Sequence, residues 1–287
     1  MDCILEMIDE LSVLDFDDAS SKLIKYVDNH PDIILILHQI GTIPECIEHD
    51  STQEKLFSKL SDAVLARAFR EIGLKATVLR ERGDSADVQA ESVFHGYSLV
   101  ADAKAFRMSR TAKNQKDFKV VALSGWRKDA DFAILCSPYY QYPASGSQIY
   151  AQAVDNNVCL FSWEHILFLI ENGIRETESC NLKSLWNISD AYAQYCSVAQ
   201  KKRCFIPVID EAVTGVSGCT TEAFHAFLKK NQEKVMKRAA HEIDYWEGEK
   251  SRIMMYTKDQ AIEELIRAKK INEKIAQIKK FIAGIQQ

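Results

Sequence analysis

Three residues near the middle of the chain have the types and spacing to act on a phosphodiester. They are Asp87, Asp102 and Lys104. Asp87 lies in GDSADV, while Asp102 and Lys104 close the run GYSLVADAK, fifteen and seventeen residues later. Side chains two apart in extended chain face the same side, so Asp102 and Lys104 share a face. If the segments carrying Asp87 and Asp102 pair as neighbouring strands, the two carboxylates converge. Held close, they repel, and one protonates unless a cation sits with them. A few hard oxygen ligands, with water completing the shell, suit Mg²⁺. Such an ion acidifies water and neutralises charge building on a phosphoryl oxygen. Lys104 can hold the attacking water. The chemistry is in-line hydrolysis, with Asp87, Asp102 and Lys104 as the catalytic set and the two acids as metal ligands.

The pattern is loose. In a chain with 41 acids and 36 bases it recurs by chance, and Asp117-Phe118-Lys119 repeats it. Strand context separates the two. Asp102 ends an apolar run, whereas Asp117 follows a polar stretch and reads as the cap of a helix starting near Lys119. The bland alternative for the whole set is surface ion pairs, which contribute little. The cations argue against it. Between Ala101 and Asp129 stand eight Lys or Arg and three Asp, a local excess of five positive charges in a protein of net charge −5. A solvated helix face would account for such a run. A nuclease also needs cations beside its scissile phosphate, and Asn, Lys and Arg are the side chains that read purine edges. Glu54 has two readings: partner of Ser51 in a helix-capping box, or an auxiliary acid near the metal.

Other chemistries fit worse. TGVSG at residues 214–218 approaches a nucleophile elbow, but the next residue is Cys219. There is no P-loop and no dinucleotide fingerprint, so no nucleotide cofactor is expected. The seven histidines show no ligand spacing. The eight cysteines form no C-x-x-C pair and several lie in apolar runs, which reads as reduced thiols of a cytoplasmic protein. The acidic start, MDCILEMIDEL, is a poor signal peptide. The longest aliphatic run, IILIL, is far too short to span a bilayer, so no membrane partner is expected.

The elements that must position these residues follow from period and punctuation. Residues 1–48 read as an N-terminal segment of short helices, broken at Pro31 and at Gly41–Pro44. Leu56, Leu60, Val64 and Ala68 recur every fourth residue, a helix that Ser51 caps and Gly73 ends. ATVLRE and ADVQAE then read as strands turning at Gly83, and GYSLVADA as a third. KVVALSGWR reads as a helix, DFAILCSPYY as a buried central strand, SQIYAQAVD as a helix, NVCLFS as a strand and WEHILFLIEN as a helix. The alternation defines an α/β core over 49–175 with a mixed sheet. Residues 176–287 read as a helical C-terminal region packed on the core, with possible dimer contacts. There Ile271, Ile275, Ile278, Ile282 and Ile285 form a heptad-like seam.

At these residues the chain resembles the HindIII-type restriction endonucleases, within the PD-(D/E)-x-K nuclease superfamily. The blocks that carry the resemblance are STQEKLFSK, LVADAKAFR, SRTAKNQKDFKV, QYP followed by SQI, and LFSWEH, in the family's order over about residues 41–166. The resemblance implies a restriction-endonuclease-like core, a mixed central sheet flanked by helices with N- and C-terminal helical extensions. It implies a type II enzyme that cuts double-stranded DNA with Mg²⁺, as a homodimer, at the palindromic hexanucleotide AAGCTT, leaving 5′-phosphate and 3′-hydroxyl ends. It matches Asp87 and Asp102 to the metal-binding carboxylates, Ala103 to a backbone-carbonyl ligand and Lys104 to the catalytic lysine. It matches Asn114 and Lys116 to base recognition. Arg107, Arg110, Lys113 and Lys119 are left to contact or support the DNA backbone. The superfamily's usual Pro before the first acid is Ala86 here. The alternatives are a repair or junction nuclease of the same superfamily, and a DNA-binding protein that does not cut.

Overall fold

The computed structural model describes the backbone of residues 2–79, 85–110 and 115–285, and side chains within 3–79, 85–110, 117–280 and 282. The chain divides into two compact units, Met1–Met236 and Lys237–Gln287. In the first, helices α1 (Asp2–Leu11), α2 (Phe16–Asn29) and α3 (Ile33–Ile40) precede the long helix α4 (Thr52–Glu71). Strands β1 (Lys75–Val78), β2 (Val88–Glu91) and β3 (Ser98–Ala103) follow, then α5 (Gln115–Phe118), α6 (Val120–Trp126), β4 (Phe132–Ser137), α7 (Gln148–Asp155), β5 (Val158–Ser162) and α8 (Trp163–Glu171). Helices α9 (Lys183–Trp186), α10 (Ile188–Ala193) and α11 (Ile206–Ser217) lead into α12 (Thr221–Met254). The second unit holds the end of α12, α13 (Lys258–Ala268) and α14 (Ile271–Ile285).

The five strands lie in the order β1-β2-β3-β4-β5. The first three pair antiparallel, and β3, β4 and β5 pair parallel. This is the mixed, helix-flanked α/β sheet the sequence pattern describes. The parallel part explains the uninterrupted apolar runs: every residue of FAILCS and VCLFS is buried, as strands covered on both faces require. The antiparallel part keeps an alternating pattern in β2. Helix α4 packs on β1, β2 and β3. It buries Leu56, Phe57, Leu60, Val64, Leu65 and Phe69, each worth about 1.5–3 kcal/mol against exposure. The predicted α4 start is present in altered form. Ser51 Oγ accepts from Glu54 N at 3.1 Å, but the Glu54 carboxylate returns to Asp50 N at 2.8 Å rather than to the cap residue. Gly73, at φ +89°, ends the helix; a Cβ there would sit 2.4 Å from the Glu176 carbonyl oxygen. The turn assigned to Gly83 lies outside the described residues.

A buried polar network locks β4, β5, α8 and α11 together. Ser162 N donates to His165 Nδ1 at 3.1 Å, which leaves the His165 hydrogen on Nε2. Nε2 donates to Asp210 Oδ1 at 2.7 Å, and the Tyr139 hydroxyl donates to Asp210 Oδ2 at 2.8 Å. Removing the carboxylate orphans two buried donors, each costing about 1–3 kcal/mol. Asp210→Ala is therefore expected to lower unfolding free energy by roughly 3 kcal/mol in denaturant titration, with unchanged slope. A loss below about 0.5 kcal/mol would show that the network does not hold these elements.

Within the second unit, Thr257 and Gln260 form a capping box at the start of α13. On α14 the seam residues Ile271, Ile275, Ile278 and Ile282 are all exposed. No helix among the described residues is long and apolar enough to cross a membrane. All eight cysteines are free thiols.

Candidate active site

Strand register decides whether the two acids meet. Val88 stands opposite Ala101 in the antiparallel β2–β3 ladder. Asp87 lies one residue before that pair and Asp102 one residue after it, so both acids stand at the same end of the ladder. Asp87 lies just before β2, where the ladder shifts by one residue, because Ala101 is already opposite Val88. Its N–H donates to the Ala101 carbonyl at 3.0 Å, and its carbonyl accepts from Leu79 N at 2.8 Å. The Asp87 carboxylate accepts from Ala103 N at 3.3 Å.

Asp102 is 3% exposed and forms an ion pair with Lys104, two residues on. The backbone of Lys104 is pinned on both sides. Its N–H donates to the Cys136 carbonyl at 2.7 Å, extending the β3–β4 ladder. Its carbonyl accepts from the Trp163 indole at 2.9 Å. Strand alternation plus these two bonds fix where the ammonium points.

A third carboxylate joins them. Asp62, on α4, is 6% exposed. Burial pushes its carboxyl up to about 6, and the charge of Asp102 adds to this, against the pull of Lys59 and Lys104. Lys59 Nζ holds Asp62 Oδ2 at 3.0 Å and reaches the Leu79 carbonyl at 3.4 Å. Burial likewise raises Asp87, to about 9, reinforced by the charges of Asp62 and Asp102 and by the hydrogen bond its protonated carboxyl donates to Asp102. Asp62 and Asp102 thus act together on Asp87, which keeps its proton at neutral pH.

This donor set fits a hard divalent cation. All three ligating groups are carboxylate oxygens. Asp102 Oδ2 is buried and makes no hydrogen bond of regular geometry, and Lys104 pairs with it. Among the described residues, the ligand atoms of one group, His49, Asp50 and Glu54, already lie within 4.8 Å of one another, and those of the three aspartates do not. His49 and Asp50 are exposed, and Glu54 is already engaged by Arg107 Nη2 at 2.8 Å and Nε at 3.2 Å. Burial opposes the charge on Glu54, but Arg107 and the Asp50 N–H outweigh it and hold the carboxyl low.

The segment after Lys104 is tied down along its length. Phe106 bridges to Thr42, Arg107 also donates to the Pro44 carbonyl at 3.0 Å, and buried Glu45 accepts from Ser109 N and Oγ at 3.0 and 2.8 Å. Arg110 pairs with Asp117 and stacks 4.0 Å over the Phe106 ring. Asp117 thus lies inside α5 as an ion-pair partner, and it does not cap α6. Lys119 is the N-cap residue there, at φ +50° with no side-chain cap bond, and it is exposed. Lys113 and Asn114 lie outside the described residues, as does the side chain of Lys116.

Sequence reasoning missed Asp62. The signal was present: an acid between Leu60 and Val64, on a stripe whose period demands burial. Buried acids need a partner or a purpose.

A mixed sheet that gathers two cross-strand acids, a helix acid and a lysine defines a metal-dependent nuclease with a restriction-endonuclease-like core. The model of the HindIII restriction endonuclease family matches residues 9–282. The type II restriction enzyme HindIII of Haemophilus influenzae is 39% identical over 285 residues, covering 99% of this chain and 95% of that protein. The chain belongs to the HindIII restriction endonuclease family, and it is a site-specific deoxyribonuclease that requires a divalent metal.

Proposed function

We propose that the chain is a cytoplasmic type II restriction endonuclease that hydrolyses both strands of duplex DNA at AAGCTT, leaving 5′-phosphate and 3′-hydroxyl ends, with Mg²⁺ as the cation. The Asp87 carboxylate on Ala103 N and the Asp102–Lys104 ion pair, at one end of the β2–β3 ladder, carry this reading. Asp62, Asp87, Asp102 and the Ala103 carbonyl hold the cation. When bound, it supplies charge for the phosphoryl oxygens and acidifies water. The chain does the rest. Lys104 hydrogen-bonds the attacking water and sets its line of approach; Trp163 and Cys136 hold Lys104 in that position. Arg107, through Glu54, and Arg110, through Asp117, shape the segment that leads to Asn114 and Lys116. Asn114 reads adenine and Lys116 reads guanine in the major groove. Lys113 and Lys119 contact phosphates.

A palindrome presents the same site on both strands, so a two-fold homodimer places one active site on each. The exposed isoleucines of α14 supply apolar surface for that second copy.

Digesting a plasmid with Mg²⁺ and sequencing the fragment ends tests the reading. Discrete cuts within AAGCTT are expected, with phosphate on the 5′ side. A salt-sensitive gel shift without cutting would make this a binding protein, and preference for branched DNA would make it a repair or junction nuclease. Asn114→Ala is expected to weaken discrimination at one base pair by about 1–3 kcal/mol, read by comparing cleavage of AAGCTT with single-substituted sites. An unchanged cleavage pattern would remove the readout role.

A further inference from the structure

Lys59 is a second ammonium at the acid cluster, and the reaction described above gives it no task. Its side chain is 21% exposed, on a helix that otherwise buries apolar groups beside it. Its charged partner is Asp62 Oδ2, at 3.0 Å. Its second contact, the Leu79 carbonyl, belongs to the residue whose N–H donates to the Asp87 carbonyl. The ammonium therefore sits among groups that the same cation would use.

Two facts give it a role. First, the three acids do not form a closed ligand set. Their ligand atoms do not all lie within 4.8 Å of one another, and Asp62 is drawn toward Lys59 instead. A cation at Asp87 and Asp102 that recruits Asp62 draws on the carboxylate that Lys59 already holds through Oδ2, and so weakens that bond. Second, the charges balance only with Lys59 included. By formal charge, three carboxylates, two ammoniums and one divalent cation leave a single positive charge, the complement of one phosphodiester. Without Lys59 that cluster is neutral and has no surplus for substrate. A lysine displaced from its carboxylate in so enclosed a place must find another anion, and the DNA brings one.

We propose that Lys59 is a further catalytic residue of this enzyme. It competes with the divalent cation for Asp62, and once displaced it hydrogen-bonds a non-bridging oxygen of the scissile phosphate. This rests on the assignment of the nuclease site made above.

The test uses the full chain and the variants Lys59→Met and Lys59→Arg, with Mn²⁺ binding to DNA-free protein measured by electron paramagnetic resonance. Single-turnover cleavage is measured at saturating metal. Lys59→Met removes the competitor, so Mn²⁺ is expected to bind about 3- to 10-fold tighter. Cleavage is nevertheless expected to slow by about 100-fold, the effect of losing one donor to transition-state charge. Lys59→Arg keeps the charge and should recover much of the rate with Mn²⁺ affinity near that of the parent. A lysine that only braces the helix would move neither quantity in this opposed way. Unchanged or weaker Mn²⁺ binding in Lys59→Met would overturn the competition, and an unchanged single-turnover rate would overturn the phosphate contact. Asp102→Asn is the control. If it still binds Mn²⁺ fully, the assigned metal site is wrong; if it loses Mn²⁺ while Lys59→Met behaves as the parent, only the role of Lys59 fails.

Discussion

Lys104→Ala is expected to lower cleavage by about three orders of magnitude or more while duplex DNA is still bound, combining lost orientation of the water with lost charge at the reacting phosphate. The expectation follows from geometry rather than from the presence of a lysine. Lys104 is two residues past the end-on acid Asp102, on the same strand face, and forms an ion pair with it. Its backbone has both hydrogen-bonding groups committed, to Cys136 and to Trp163. Truncating the side chain leaves that frame intact, so the variant folds and keeps the surfaces that meet DNA. Gel shift in Ca²⁺ should give an affinity within about threefold of the parent, under 1 kcal/mol. Asp102→Asn should match it in cleavage and additionally lose metal affinity. If purified Lys104→Ala cuts at a tenth of the parent rate or faster, the catalytic assignment is wrong.

The parts of this site differ in how far local sequence could announce them. Helix α4 was legible because Leu56, Leu60 and Val64 repeat at the helical period. Strands β4 and β5 were legible because FAILCS and VCLFS are continuous apolar runs. The meeting of Asp87 with Asp102 needed one further assumption, that their segments pair as neighbours, which the register of β2 and β3 meets. Asp62 was not legible in this way. It joins the other acids only through the packing of a helix on a sheet, a contact no local period encodes. The partners of the cationic run were hidden in the same way. Arg107 and Arg110 look like free positive charge in the sequence, yet each has a carboxylate partner, Glu54 from a distant helix and Asp117 from the next one. Net charge along a segment counts residues, whereas the field at a phosphate depends on which cations remain uncompensated. His165 carried no sequence signal either, because its partner Asp210 lies on α11.

The same crowding that makes the acids useful makes the fold less stable, and Asp87→Asn is expected to show both sides at once. In the folded chain Asp87 is raised to about 9 by burial and by the charges of Asp62 and Asp102. In the unfolded chain it titrates near 4. Between these values the folded state holds a proton that the unfolded state has released. Stability therefore falls as pH rises from about 4 to about 9, by up to 1.4 kcal/mol per pH unit for one proton, and levels off above. Asparagine cannot ionise, and its side-chain oxygen still accepts the Ala103 N–H. The variant should thus be more stable than the parent at pH 8, by at least about 1–2 kcal/mol and by about 5 kcal/mol if the whole proton linkage is expressed. The difference should shrink to a few tenths of a kcal/mol at about pH 4, where the folded parent is protonated and the unfolded parent about half so. Cleavage should fall below about a thousandth of the parent rate, because the cation loses a charged ligand. Metal acts the other way: Mg²⁺ at a hundred times its dissociation constant stabilises the parent by about 2.7 kcal/mol and the variant hardly at all. Urea unfolding at pH 4 and pH 8, with and without Mg²⁺, reads all four corners. A variant less stable than the parent at pH 8 without metal would mean that Asp87 is not held among like charges, and the convergence of the three carboxylates would have to be abandoned.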